Sequence, residues 1–151
     1  MKHRIICFFI ISLSISSCAD KDDPKSVYDS QRILDCYNKQ TWGLQEVKNK
    51  IVGQWEWKYA EYIYATTPDN DFKGMKIEFR DDLTGTLTYS KVAPLEFTWS
   101  IGTYNVYFGF STEPLIPQLN GQILFCENIM LCGVTGSGIA DGVNNYFQKI
   151  Q

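Results

Sequence analysis

From residue 53 onward, apolar and polar side chains alternate in short runs. Gly53, Trp55, Trp57 and Tyr59 share one parity, and Gln54, Glu56 and Lys58 share the other. Met75, Ile77 and Phe79 alternate with Lys76, Glu78 and Arg80, and Leu87 and Tyr89 alternate with Thr86 and Thr88. Leu95, Phe97, Trp99 and Ile101 alternate with Glu96, Thr98 and Ser100, and Val106, Phe108 and Phe110 continue the series. A period of two marks strands with one face buried. Ile123 to Cys126, Ile129 to Cys132 and Val143 to Ile150 add three more runs. Turn-forming residues separate the runs, at Pro68-Asp69-Asn70, Asp81-Asp82, Ala93-Pro94, Gly102-Thr103, Glu127-Asn128 and Asp141-Gly142. No helix-length segment lies between strands, which argues against parallel crossovers. The pattern predicts an all-β domain of about eight antiparallel strands. Such a series removes its free edges by closing into an up-and-down barrel, with an open sandwich as the alternative.

Before residue 53 the period is helical. Val27, Ile33, Leu34 and Tyr37 recur at helical spacing within Ser26 to Lys39, with Ser26 after Pro24 as the expected N-cap. Thr41 is the expected cap of a second helix running to Lys50, with Glu46 early and Lys48 and Lys50 late, the order a helix dipole favours. The expected organisation is a leader over 1–17, an acidic tether over 18–26, a helical segment over 27–50 and a barrel over 51–151.

The leader and the tether follow from the first 25 residues. Lys2, His3 and Arg4 precede an apolar run, Ile5 to Ile15, that ends at Ser16-Ser17-Cys18. The run is shorter than the roughly 20 residues a membrane-spanning helix needs, so it reads as a cleaved export signal. Ile15-Ser16-Ser17-Cys18 resembles the lipobox of bacterial lipoproteins, which implies that Cys18 opens the mature chain and carries acyl groups, palmitate among them. Cys18-Ala19-Asp20-Lys21-Asp22-Asp23 resembles the signal that follows the lipidated Cys in surface-exposed lipoproteins of the Bacteroidetes. The expected location is therefore the outer membrane, lipid-anchored and exposed at the cell surface, with a periplasm-facing orientation as the alternative. The charged tether is too polar to fold by itself and spaces the domain from the lipid.

Charge and composition narrow the chemistry. Losing the leader removes Lys2 and Arg4 and leaves 12 basic against 17 acidic residues. Arg32 and Arg80 are then the only arginines, so no basic face for nucleic acid is expected. His3, the one histidine, leaves with the leader. Without imidazole there is no Ser-His or Cys-His nucleophile and no His metal site, and a non-enzymatic protein without cofactor or metal is expected. Cys36, Cys126 and Cys132 remain after Cys7 is removed and Cys18 is lipidated. An odd number in an oxidising compartment implies one disulfide and one buried thiol. A two-residue turn at Glu127-Asn128 would put Cys126 and Cys132 on opposite faces of the sheet, and a three-residue turn on the same face. A bridge from Cys36 to either is favoured over a local Cys126–Cys132 bridge. It would tie helix to barrel and close a long loop, worth on the order of 4 kcal/mol.

Gly53-Gln54-Trp55 resembles the Gly-x-Trp opening of the lipocalins. "IVGQWEW", "IEFRDDLTGTLTYS", "FTWSI" and "GVNNYFQKI" resemble successive strands of lipocalin-like domains in small Bacteroidetes lipoproteins, over roughly residues 41–151. The resemblance implies that Gly53 and Trp55 close one end of the barrel. The lipocalins' Thr-Asp-Tyr motif is absent, and no Arg follows Arg80 to pack on Trp55. The inward parity is rich in aromatics, and barrel mouths are common ligand sites. Trp57, Tyr59, Trp99, Phe97 and Phe108 are the candidate walls of a site for a small hydrophobic ligand. The competing reading makes them core, because an eight-stranded barrel can be filled by its own side chains. In that case the protein is an adaptor that docks on another envelope protein. Tyr62, Tyr64, Tyr104 and Tyr107 are the candidates for such a contact surface; Tyr62 and Tyr64 lie on the opposite parity near the end of the first strand and face solvent unless a bulge returns them inward. Asp69 to Gly74 has acids at alternate positions and Gly at the sixth, as in a calcium loop, but Lys73 stands where an oxygen ligand is required and no Glu follows at the twelfth, so it reads as a turn. Gly133 to Gly142, with Ser137, has neither the Lys of a phosphate loop nor a base for a nucleophile, and reads as a connection at the barrel mouth. Arg80 is expected to form a surface ion pair beside Asp81 and Asp82.

Overall fold

The structure is a computed structural model that describes residues 27–62, 72–90, 92–104, 106–133 and 142–150. The leader, Cys18, the tether, Tyr64, Asp69 to Asp71 and Ser137 lie outside the described residues. Among the described residues two short helices, α1 (Ser30–Tyr37) and α2 (Leu44–Ile51), precede eight strands. The strands are β1 (Gly53–Tyr62), β2 (Lys76–Phe79), β3 (Thr84–Thr88), β4 (Leu95–Tyr104), β5 (Tyr107–Glu113), β6 (Gly121–Cys126), β7 (Ile129–Gly133) and β8 (Val143–Lys149). Each pairs antiparallel with its sequence neighbours, and β8 returns to β1, closing an up-and-down barrel.

Both helices start later than the capping residues Ser26 and Thr41 suggest. Asp29 caps α1, its carboxylate accepting from Arg32 N at 2.8 Å. Gly43 caps α2, and Glu46 reaches back to accept from Gly43 N at 2.8 Å. Asp and Glu side chains satisfy these free N–H groups and suit the positive end of the helix dipole. Gly53 then turns the chain from α2 into β1 at φ 124°, a conformation that side-chain-bearing residues rarely adopt.

An up-and-down barrel has two kinds of end. At one lie the β2–β3, β4–β5 and β6–β7 turns, and α2 enters β1 there, beside Asp81 and Leu83 of the β2–β3 turn. At the other lie the longer connections β1–β2, β3–β4, β5–β6 and β7–β8. We call these the helix end and the loop end. α1 lies outside the barrel against β6 and β7. Both faces of these strands are therefore covered, and every residue from Gln122 to Cys126 and from Ile129 to Gly133 is buried. Unbroken apolar runs are the signature of strands buried on both faces.

The turn at Glu127-Asn128 has two residues, since Cys126 pairs with Ile129, and Glu127 takes φ 53°. Cys126 thus points outward to α1 and Cys132 inward. Cys36 and Cys126 form the disulfide, and Cys132 is a buried free thiol whose pKa burial raises. The bridge joins residues 90 apart and fixes α1 to the strand it covers. Removing it with Cys36→Ser and Cys126→Ser together should lower unfolding free energy by about 3–5 kcal/mol in urea titration, with an unchanged far-ultraviolet circular dichroism spectrum at low denaturant. A loss below about 1 kcal/mol would mean that α1 is held by packing alone.

Candidate functional site

The inner face of the barrel is where the sequence places a ligand, and the register decides which side chains reach it. Directly paired residues share a face. Trp55, Trp57, Ile77, Phe79, Leu87, Phe97, Trp99, Phe110, Ile123, Phe125, Met130, Cys132, Asn145 and Phe147 follow one another inward. Tyr59 does not. Trp57 pairs with Phe147 but Tyr59 pairs with Tyr146, so Lys58 is an extra residue in β1. This β-bulge reverses the parity beyond it. Tyr59 faces outward, stacks on Tyr28 with centroids 6.1 Å apart and lies 5.9 Å from the Tyr146 ring. Tyr146 donates to Glu61 Oε2 at 2.7 Å, and burial followed by that contact raises its pKa. The inward reading of Tyr59 is thus corrected. The same bulge brings Ala60 and Tyr62 to the inner face.

At the helix end the interior is packed ring on ring. Phe79 meets Phe97, Trp99 and Phe110 edge-on, with centroids 5.6–6.0 Å apart, and Trp99 stacks on Phe110. Edge-to-face contacts of this kind stabilise beyond simple burial. Phe97 lies over Gly85, where a Cβ would come within 2.3 Å of its ring. Trp99 spends its indole N–H on Thr84 O at 2.9 Å. Phe97 and Trp99 are each 3 % exposed, so both are bound up in this core. Phe108 is half-buried at the same end, opposite Thr103 on the β4–β5 hairpin and away from Trp57. Val106, placed in the strand series by its parity, stands in the β4–β5 turn and is 83 % exposed.

Trp55 closes this end. Its indole N–H donates to Ile51 O at 2.6 Å, and its ring meets Phe125. Lys149 Nζ lies 5.3 Å from the ring centroid and donates to Lys50 O at 3.0 Å and Val52 O at 2.8 Å. With no Arg after Arg80 to pack on Trp55, Lys149 takes that place. The signal was present, because Lys149 pairs directly with Trp55 across β8 and β1. The ammonium caps carbonyls at the end of α2 and covers an aromatic face at once. Burial, then Lys50, lowers its pKa.

Toward the loop end the inner face changes character. Trp57 is 2 % exposed and donates its indole N–H to Asn145 Oδ1 at 3.0 Å. Asn145 pairs with Cys132, so an amide and a thiol lie together in the wall. Above Trp57 stand Phe72, edge-on at 5.9 Å, and Tyr89, 6.1 Å from Phe72. Phe72, Tyr89, Leu87 and Tyr62 are only partly buried, in contrast to the four rings at the other end. The arrangement offers an aromatic wall with one interior amide. Arg80 pairs with Glu78 at 3.4 Å and Glu96 at 3.2 Å on the outer face, and Asp82 accepts instead from Thr84 N at 2.9 Å. The ion pair expected beside Asp81 and Asp82 thus runs across strands.

Among the described residues no group of three or more His, Cys, Asp or Glu could hold a metal, and no helix is long and apolar enough to cross a membrane. No protein-family model, curated protein or solved structure matches the chain. Lys149→Met keeps length and apolar contact but loses the charge and the carbonyl cap. It should cost about 1–2 kcal/mol in thermal or urea unfolding, and Lys149→Arg should cost less than half of that. Equal losses would mean that packing, not charge, holds the closure.

Proposed function

We propose that the chain is a lipid-anchored envelope lipoprotein whose lipocalin-like barrel takes up a small apolar or aromatic ligand at its loop end. The observation that carries this reading is the division of the inner face. The helix half is spent on ring-to-ring packing under Trp55, whereas beyond the buried Trp57 the inner face passes to Phe72 and Tyr89, which keep exposed surface. A flat apolar ligand would gain ring contacts there, and Asn145 would orient one polar group. The lipid anchor rests on the resemblance around Cys18. Lys149 on Trp55 supports the lipocalin resemblance, since a cation stands where that family has its Arg.

A second reading keeps the anchor and makes the barrel a solid adaptor for another envelope protein. The packing of Phe79, Phe97, Trp99 and Phe110 favours it, because half the interior is already full. One experiment with two arms separates the claims. In a bacterial host that processes lipoproteins, the full chain should incorporate labelled palmitate and Cys18→Ala should not. Purified protein should enhance the fluorescence of N-phenyl-1-naphthylamine. Trp57→Ala should weaken that binding about tenfold or more, equivalent to about 1.4 kcal/mol, whereas Trp99→Phe should leave it within a factor of two. No probe binding in the parent protein would remove the ligand reading and favour the adaptor. Absence of label from the parent would remove the anchor alone.

A further inference from the structure

A second recessed site lies at the rim of the barrel's helix end, between the α1–α2 connection and the β4–β5 hairpin. It is a groove of about 330 Å³. This is at the lower bound of small-molecule sites, which run to about 300–1,000 Å³. Its wall on one side is Trp42 and on the other Tyr107 and Phe108, all three half-buried. The aromatic side is rigid. Trp42 stacks on Tyr37 with centroids 5.2 Å apart and planes 10° apart, and donates its indole N–H to Tyr37 O at 3.0 Å. Tyr107 leans on Tyr37 at 6.3 Å.

The rim is polar and unspent. Asn38, Gln40, Thr41 and Thr103 border the groove, are exposed, and make no side-chain hydrogen bond among the described residues. None of the nine lining residues carries a charge. That combination selects a ligand class. An ionic ligand would find no counter-charge. A wholly apolar ligand would strip water from amides and hydroxyls without replacing it, at about 1–3 kcal/mol for each polar group left unsatisfied. A molecule with an apolar face and a rim of hydroxyls satisfies both parts. Its C–H face lies on the aromatic side chains, and its hydroxyls exchange donors and acceptors with Asn, Gln and Thr.

We propose that this groove binds a neutral saccharide, with Tyr107 and Trp42 as stacking surfaces and Asn38, Gln40, Thr41 and Thr103 as the hydrogen-bonding rim. The groove lies at the end of the barrel away from Trp57, Phe72 and Tyr89, and it stands or falls separately from the ligand reading above.

Saturation-transfer nuclear magnetic resonance on the purified protein tests it, with maltotriose, cellotriose, mannotriose and N,N′,N″-triacetylchitotriose as probes. At least one sugar should receive saturation at its ring C–H protons, and Trp57→Ala should not change this. Tyr107→Ala should abolish the transfer. Because Tyr107 also supports Tyr37, the double variant Asn38→Ala/Gln40→Ala is the second test. These exposed side chains have no internal partner, so its unfolding midpoint should match the parent while affinity falls about tenfold. No transfer to any of the four sugars overturns the proposal. So does transfer that survives the double variant at parent affinity. Tyr107-dependent binding of decaproline with no sugar bound also overturns it, in favour of a peptide partner.

Discussion

The seat of Trp55 is the contact on which the rest of the structure hangs. Its indole N–H holds Ile51 O, its ring lies under Lys149, and its other neighbour is Phe125. Lys149 in turn binds carbonyls at the end of α2. One residue thereby ties the last turn of α2, the start of β1 and the end of β8. The relay continues outward: Phe125 meets Trp42, Trp42 stacks on Tyr37, and the residue before Tyr37, Cys36, is bonded to Cys126. Both helices are therefore registered to the barrel by aromatic contact and a covalent link. Such short helices would not persist in isolation.

Closing one end so firmly shapes what the other can do. In an eight-stranded barrel the interior is only about as wide as its own side chains. Four rings at the helix end use that width completely. Toward the loop end the rings give way to the buried Trp57 and, past it, to the partly buried Phe72 and Tyr89. The Trp57 N–H is turned to Asn145 inside the barrel, while its ring faces Phe72. The helix end is free to serve differently, because the β4–β5 hairpin and the α1–α2 connection leave a recess at its rim.

The strand count, the antiparallel order and most inward positions were legible, because alternation with period two survives wherever one face is wet. Tyr59 was misread for a local reason. A single extra residue at Lys58 inverts every later position of β1, and nothing in "EWKYAEY" marks a bulge. The packing of α1 was legible but unread: "ILFC" and "IMLC" do not alternate, which is the mark of strands covered on both faces. The helix starts were displaced because Asp29 and Gly43 compete with Ser26 and Thr41 as caps, and tertiary contacts choose among them. Of the candidate site, Trp57 stands where its parity placed it. That Phe97 and Trp99 are tied up with Phe79 and Phe110 depends on ring geometry, which a one-dimensional pattern does not contain.

Hydrogen exchange at the four tryptophan indole N–H groups, followed by ¹H–¹⁵N spectroscopy, tests the two-ended barrel most directly. All four are hydrogen-bonded inside the protein, to Tyr37 O, Ile51 O, Asn145 Oδ1 and Thr84 O. Bonding alone would make them alike. The account predicts that Trp55 and Trp99 exchange only on global unfolding, while Trp57 exchanges faster through opening of the loop end. A Trp57 signal as protected as that of Trp55 would contradict it, since the barrel would then be solid from end to end.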